Sequence, residues 1–521
     1  MIMLKEENNP VIASVSASTG REASEFVSMP LPASLFQGTD SVSGTGLSTA
    51  VDGSYATHGG TSSVVYQVAM DLDTLYKALD VSQSVSVGFG PIGGVSEKSE
   101  FVQTLRLTTF SVNIVVRAKH VMGTDTATAF KLKSGINPPS GNSELRNFFR
   151  SYGDAFVSSI TTGSEYYAVY TFYAQSKEEQ QSVSIELKAN GIFEFGSVDA
   201  GLQTKLNKVT TSTQVRLAFN QNISGIANPK FPKPDDMIDY ALAFPSLPID
   251  APAIVAFAVT GYEHVPNMSG FDPVAKNREF LVGPDGGGGL SRYLVAETEL
   301  LNQIEWLKKI YAFYQGFKDS KVDEVQREAQ ANLDALNAQF LLYESDPTAT
   351  LTKPALPSLD MGTPMLEYSV AQSPTQGGNG GSPFNDVDIN TYIQNQTYVS
   401  AVQLRTGSEV DALIVTYQAT AKSTSVQTYH GGGGGSFSQT LQVRPGQFIK
   451  KLSGRSGSRV DQLRITLDDD RSVAGGGGGG SPFDWQVPSG SVVMGFAGRS
   501  GSRLDQVEAV YATLKSASWK K

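Results

Sequence analysis

Three short blocks near the C-terminal end of the chain combine glycine and aspartate at one fixed spacing. Each reads Arg-x-Gly-Ser-x-x-Asp, and the glycine–aspartate pairs are Gly407 and Asp411, Gly457 and Asp461, and Gly501 and Asp505. An ionised aspartate accepts hydrogen bonds from hydroxyl groups. Glycine lets backbone N–H groups come close to a ligand because it has no Cβ. These G-x-x-x-D blocks are therefore candidates for binding a ligand rich in hydroxyl groups.

A glycine run precedes each block, and an alternating apolar/polar stretch follows it. The runs begin at Gly377, Gly431 and Gly475, and Gly378 continues the first of them. A phosphate-binding loop is excluded because no run is followed by Lys-Ser or Lys-Thr. An internal repeat is a strong indicator of architecture. Three copies of about four short strands predict three small sheets around a pseudo-threefold axis, a β-prism.

Residues 370–515 resemble the jacalin-like lectin family on the strength of these runs and blocks. The resemblance implies that each glycine run and a G-x-x-x-D block form a carbohydrate site, so the expected partner is a cell-surface glycan or glycolipid. A structural alternative stays open, in which the glycines only turn tight corners and each aspartate caps a loop.

Composition excludes several other functions. The chain has 521 residues, which suggests about three domains, and its formal net charge is −10. This acidic balance argues against nucleic acid as a partner and against binding anionic lipid by charge alone. There is no cysteine, and the four histidines lack ligand spacing, so we expect no metal and no cofactor. Catalytic motifs are also missing, and we expect no enzyme, although paired carboxylates of a glycan hydrolase remain an alternative.

The chain divides at a proline-rich stretch over residues 346–369, which we interpret as a linker without regular structure. It separates residues 1–345 from a prism over residues 370–521, and apolar spacing predicts helices over about 291–345. No stretch has the roughly 18 apolar residues of a membrane-spanning helix. Because Met1–Asn9 does not look like a signal peptide, we expect a protein that is made soluble.

The stretch around residue 152 resembles the signature of the membrane attack complex/perforin superfamily. Tyr152, Gly153, Phe156 and Gly163 match that signature, whereas Asp154, Ala155 and Ser164 depart from it. A helix that runs into a strand through a Tyr-Gly turn would explain the same residues. The resemblance implies a bent antiparallel sheet flanked by helical clusters, which unfold into membrane-crossing β-hairpins.

Such a conversion requires segments whose sequence suits both a soluble state and a membrane strand, and two segments fit this requirement. Apolar and polar residues alternate over Val81–Phe89 and Ser182–Ala189, as in a membrane strand. Neighbouring stretches Leu72–Leu79 and Leu202–Val209 have the spacing of amphipathic helices. We assign the convertible segments to about 74–107 and 176–215, and Thr108–Lys119 to a permanent strand of the sheet.

Together these patterns predict an α+β fold, with a perforin-like domain at residues 1–345 and an all-β prism at the C-terminal end. The predicted function is a pore-forming toxin that acts outside the cell on target-cell membranes. It docks on glycans, assembles into a homo-oligomer on the lipid membrane and inserts β-hairpins. Soluble bacterial proteins that pair these two parts, including insecticidal ones, are known in the superfamily. The alternative is a non-lytic multivalent lectin.

Overall fold

The computed structural model describes residues 34–79, 110–174, 177–213, 217–283, 288–388, 396–419 and 424–520, together with the isolated residues 101, 102, 105, 107, 215, 392 and 393. The chain mixes helices and strands, as predicted, and is β-rich after residue 363. The α-helices of the described residues are α1 (Leu72–Ala78), α2 (Asn142–Tyr152), α3 (Lys177–Ala189), α4 (Leu202–Thr213), α5 (Met237–Ala243), α6 (Asp272–Val282), α7 (Ser291–Phe313), α8 (Ser320–Ser345) and α9 (Pro357–Met361).

An antiparallel sheet forms the centre of the N-terminal part. Its strands are β1 (Gly38–Thr39), β2 (Val51–Gly59), β3 (Ser62–Ala69), β4 (Val112–Leu132), β5 (Ala155–Phe172), β6 (Phe195–Ser197), β7 (Leu217–Ser224) and β8 (Ala253–Gly261). The long strands β4 and β5 pair with each other in the middle. On the outer side of β4 lie β2 and β3, and on the outer side of β5 lie β7 and β8. The predicted permanent strand over Thr108–Lys119 therefore starts at Val112 and is longer than predicted.

One row of paired residues crosses this sheet near the ends of its strands. Ala69 pairs with Asn113, Asn113 with Thr171, and Thr171 with Ala218. Just beyond this row, residues 70–111 connect β3 to β4 and residues 173–216 connect β5 to β7. Both connections therefore leave the sheet at the same end of the strands, and each joins two strands that pair with each other. We call them insert 1 and insert 2.

The part of insert 2 that the structure describes is mainly helical. In α3, Val183 and Leu187 are buried against the sheet, whereas Ile185 is 65% exposed. Residues four apart lie on one face of a helix, so the same sequence that alternates as a strand also has a buried helical face. Helix α4 packs into the same core through Leu202 and Leu206. For insert 1, α1 is described, but the alternating stretch Val81–Phe89 and most of segment 74–107 lie outside the described residues.

Three of the four signature residues lie where α2 turns into β5, and Gly163 lies further along β5. Tyr152 ends α2, and Gly153 has a φ of +79° with the Thr39 carbonyl 2.0 Å from where a Cβ would stand. Phe156 is fully buried, and Gly163 faces the His120 carbonyl at a similarly short distance. A Tyr-Gly turn between a helix and a strand is therefore the local structure behind these residues.

Two long helices connect the sheet to the C-terminal part. Helices α7 and α8 lie within the region for which helices were predicted, and they pack against each other. Along α7, buried apolar residues alternate between four- and three-residue steps, at Leu300, Ile304, Leu307 and Tyr311. The predicted linker is not irregular throughout. Residues 363–372 form β9, because this segment pairs with the last strand of the chain, and Pro364 lies near the start of that strand, where the lost N–H group is tolerated.

Three antiparallel sheets form the C-terminal part, as the repeat predicts. Their strands are β9 (Thr363–Gln372), β10 (Gln376–Gly377), β11 (Ser382–Asn385), β12 (Thr397–Thr406), β13 (Val410–Ala419), β14 (Thr424–Gly431), β15 (Ser436–Phe437), β16 (Leu441–Gln442), β17 (Ile449–Ser456), β18 (Val460–Leu467), β19 (Ser472–Gly476), β20 (Ser481–Gln486), β21 (Ser491–Ser500) and β22 (Leu504–Lys520). The orders are β10-β22-β21-β11, β14-β13-β12-β15 and β19-β18-β17-β20. Apolar side chains of all three sheets share one core, including Leu413, Leu463 and Val507.

Helices α7 and α8 are fixed to one end of this prism. The Tyr314 hydroxyl donates to the Thr397 carbonyl at 2.9 Å, and the Gln315 amide donates to the Ser491 carbonyl at 2.6 Å. Thr397 and Ser491 are the first residues of β12 and β21, whose last residues precede G-x-x-x-D blocks. Ten residues of strand span roughly 30 Å. The blocks therefore lie at the end of the prism opposite the helices.

Candidate functional site

Each sheet of the prism carries one copy of the same loop arrangement. A central hairpin turns through the G-x-x-x-D block, and a glycine loop passes over that turn from one outer strand to the other. The loops are 377–381 between β10 and β11, 431–435 between β14 and β15, and 476–480 between β19 and β20. We name the sites after their aspartates as the Asp505, Asp411 and Asp461 sites, respectively.

Chain order suggests that each glycine run covers the G-x-x-x-D block that follows it in the same repeat, but the structure shows different pairs. Asp411 lies beneath the glycine run that follows it, and Asp505 lies beneath the run at residue 377, at the other end of the prism sequence. The backbone shows this most directly, because the Gly432 N–H donates to the Asp411 carbonyl at 2.9 Å and the Gly378 N–H donates to the Asp505 carbonyl at 2.9 Å. The first and last segments of the domain therefore build one site together.

Glycine is required where each loop crosses its aspartate. Gly381, Gly435 and Gly480 have φ angles of +60°, +61° and +61°, and a Cβ on any of them would lie within 2.6 Å of a carboxylate oxygen. Side chains other than glycine are disfavoured by both the angle and the contact. The loop backbone is thus held directly against the carboxylate at all three sites.

Most of the predicted site residues come together in these three places. Gly377 and Gly431 start their loops with positive φ, and Gly378 follows the first of these. The block glycines lie under the carboxylates, with Cβ positions 3.4–3.6 Å from an aspartate oxygen at Gly407, Gly457 and Gly501. Gly475 is the exception. It lies on β19 against the side chain of Thr406, so the third loop starts one residue later, at Gly476.

Three arginines that sequence reasoning did not select brace the glycine loops. Arg405 donates from Nε to the Gly434 carbonyl at 2.9 Å, and Arg455 and Arg499 make the same contact with Gly479 and Gly380. A planar guanidinium suits several carbonyl acceptors at once. The signal was present in the sequence, since an arginine stands two positions before the glycine in all three blocks.

The three sites meet at one end of the prism. Ser408, Ser458 and Ser502, which follow the block glycines, each contribute a carbonyl that lies against the glycine loop of a neighbouring site. The adjacent side chains Glu409, Arg459 and Arg503 form a charged cluster, with an Arg459–Glu409 ion pair at 3.1 Å. This end of the molecule is therefore one continuous polar surface, with an aspartate beneath each of its three glycine loops.

Comparison with known proteins agrees with this geometry. Residues 373–510 match the family model described as the Jacalin-like lectin domain. This stretch is a jacalin-like lectin domain. Its β-rich structure corresponds to the predicted β-prism, and the family supports carbohydrate binding. The match does not extend to the N-terminal part, so the resemblance of residues 152–163 to the perforin superfamily stays a prediction.

Solved structures of plant lectins are similar to the lectin domain. Malaysian banana lectin is 23% identical, with a TM-score of 0.24, and covers 28% of this chain and 100% of its own. A mannose-binding jacalin-related lectin from Ananas comosus has the same identity and TM-score and covers 28% and 99%. Artocarpin complexed with methyl-α-mannose is 18% identical, with a TM-score of 0.24, and covers 27% and 97%. A comparison with curated proteins gave no match.

Two further searches of the described residues were negative. No helix among them is long and apolar enough to cross a membrane. Within the same residues, no group of three histidine or acidic side chains is arranged to hold a metal ion.

Proposed function

We propose that this protein binds glycans on a target-cell surface through the three sites of its lectin domain. The observation that carries the proposal is the threefold repetition of a carboxylate held under a glycine loop on one exposed face. Folding of the prism does not require the same aspartate three times, whereas a sugar that offers adjacent hydroxyls needs an acceptor of this kind. Sites on one face also act together on a surface rich in glycans, because linked binding raises the effective affinity.

We further propose that the N-terminal part forms a membrane pore after docking, as a homo-oligomer. The row from Ala69 through Asn113 and Thr171 to Ala218 favours this second function. If inserts 1 and 2 extended, each would continue two neighbouring strands as a β-hairpin. A membrane strand needs about 9–11 residues, and residues 70–111 and 173–216 are long enough for two such strands and a turn.

The position of insert 2 supports coupling of the two functions. Met365 at the start of β9 is buried in the same core as Val183 and Leu206. Insert 2 therefore lies beside the antiparallel pair of β9 and β22 that attaches the lectin domain. In this proposal the protein acts outside the producing cell, and neither function uses an enzymatic step or a cofactor.

Dye release from vesicles prepared from epithelial membranes tests both proposals. The variant Asp411→Ala, Asp461→Ala, Asp505→Ala is compared with the wild type. A control variant, Asp323→Ala, Glu324→Ala, Asp484→Ala, removes three exposed carboxylates elsewhere. Leakage by the wild type and the control but not by the site variant supports a glycan-directed pore. Equal leakage by all three contradicts the glycan sites, and binding without leakage favours the non-lytic lectin.

A further inference from the structure

The aspartates of the three sites differ in their exposure and in whether an arginine lies beside the carboxylate. Asp411 is 3% exposed and lies 3.1 Å from Arg503 Nε. Asp505 is 8% exposed and lies 3.9 Å from Arg459 Nε. Asp461 is half-buried, and within the described part of the chain no arginine or lysine forms an ion pair with it.

The cause is a single exchange in the sequence. Each glycine loop touches the serine of a neighbouring block, so the residue after that serine borders the site. At the Asp461 site the serine is Ser408. The residue after Ser408 is Glu409, whereas the other two blocks have arginine there. A glutamate cannot pair with Asp461, and its carboxylate instead contacts Arg459 at 3.1 Å and Arg503 at 3.7 Å.

Glu409 also distinguishes the two arginines from each other. It accepts from Arg459 Nη1 and holds that guanidinium further from Asp505 than Arg503 is from Asp411. A carboxylate that already faces a guanidinium in an ion pair gains less from a ligand hydroxyl than a carboxylate without such a partner, because the ligand must compete with the positive charge. The order of decreasing availability is therefore Asp461, Asp505 and Asp411, which is also the order of decreasing exposure.

We propose that Arg503 and Arg459 act as internal competitors for glycan hydroxyls, so that the Asp461 site binds glycan first and the Asp411 site last. This proposal rests on the proposed glycan binding and concerns a neutral sugar that donates two hydroxyls to the carboxylate. The protein then has one strong site and two weaker ones, rather than three equal sites.

Calorimetric titration of the full chain with methyl α-mannoside, methyl α-glucoside and methyl β-galactoside tests the order. We compare Asp461→Asn, Asp505→Asn and Asp411→Asn, with the exposed Asp484→Asn as the matched control. The expected result is at least a tenfold loss of affinity with Asp461→Asn and less than a twofold change with Asp411→Asn. Asparagine keeps the shape of the side chain, and circular dichroism verifies that each variant is folded.

Two further variants test the competition itself. In the Asp461→Asn background, Arg503→Ala is expected to raise the residual affinity about two- to fivefold, since a half-exposed ion pair is worth about that much. Glu409→Arg is expected to weaken binding of the otherwise wild-type protein. Equal losses from the three asparagine variants, or the largest loss at Asp411, would overturn the order while glycan binding stands. Absence of binding by the wild type to all three sugars would overturn the proposed function as well.

Discussion

The Tyr343 hydroxyl on α8 donates to Oδ2 of Asp154 at 2.8 Å, and this contact joins the long helices to the start of β5. Asp154 is fully buried and also accepts from the backbone and hydroxyl of Ser41. Arg278 on α6 contributes the nearest positive charge, at 3.6 Å. The turn that resembles the perforin signature is therefore built around a buried carboxylate at a position where the signature has none.

A second buried carboxyl, Asp40, makes this junction sensitive to pH. Burial and the charge of Asp154 raise the pKa of Asp40 to about 7. Its pKa in the unfolded chain is near 4, so the folded state holds the proton more tightly. Stability is therefore greatest below about pH 4 with respect to this group and falls as pH rises towards 7.

We predict that Asp40→Asn raises the melting temperature at pH 8, by roughly 2–4 °C for each kcal/mol gained. At pH 5 the variant and the wild type should differ less, because Asp40 is then protonated in the folded state. Thermal melts followed by circular dichroism at the two pH values measure this, with the exposed Asp334→Asn as control. An equal effect of Asp40→Asn at both pH values would contradict the prediction.

Two glycines of one loop should respond differently to alanine. At Gly480, φ is +61° and a Cβ would lie 2.4 Å from Oδ2 of Asp461, whereas a Cβ at Gly478 meets nothing within 4 Å. The left-handed conformation alone costs alanine about 1–2 kcal/mol. We expect Gly480→Ala to abolish glycan binding at the Asp461 site and Gly478→Ala to leave it unchanged, as measured by calorimetric titration of each variant.

Linking insert 2 to the sheet should prevent pore formation. Ser184 Oγ on α3 lies 3.9 Å from the sulfur of Met70, just beyond β3. Cysteines at these two positions can be joined by a short bis-maleimide linker, and the chain has no cysteine of its own. We expect the linked protein to bind vesicles without releasing dye, because α3 can no longer leave β3.

A second linked pair controls for the chemistry. Ser54 and Thr128 face each other on β2 and β4 with their hydroxyl oxygens 3.1 Å apart, and neither lies in an insert. Protein linked there should release dye as the wild type does. Dye release by the protein linked at positions 70 and 184 would contradict our assignment of insert 2.

The attachment of the lectin domain depends on Tyr314. Its buried hydroxyl donates to the carbonyls of Tyr392 and Thr397, and its removal would leave both acceptors without this donor. We expect Tyr314→Phe to lower the free energy of unfolding by about 1–3 kcal/mol, as measured by denaturant titration. Tyr293→Phe, which removes an exposed hydroxyl, should change it by much less, and equal effects would contradict the role of Tyr314.

The lectin domain could be predicted from the sequence because its signals repeat. Copies of a glycine run and a G-x-x-x-D block indicate equivalent sheets even before any pairing is known. Which glycine run lies over which block could not be predicted, because it depends on which strands pair. Gly377 lies near Asp505 because β10 pairs with β22. The ion pairs of Arg459 and Arg503 likewise depend on loop positions that spacing along the chain does not reveal.

The N-terminal part was less predictable because its decisive signals are ambiguous. The stretch Ser182–Ala189 has the alternation of a strand, yet packing of Val183 and Leu187 against the sheet makes it helical. The proline-rich stretch suggested an irregular linker, but pairing with β22 outweighs that tendency over residues 363–372. In both places tertiary contacts decide between two local structures that the sequence permits.

The closure of the prism also sets an order for its assembly during synthesis. All strands of the sheets around the Asp411 and Asp461 sites lie between residues 397 and 486, so both can form while the rest of the chain is still being translated. The sheet around the Asp505 site needs β21 and β22, because its outer strand β11 pairs with β21 and its outer strand β10 pairs with β22. A chain that ended before residue 504 would therefore lack β22 and Asp505, but it would retain the blocks and glycine loops of the Asp411 and Asp461 sites.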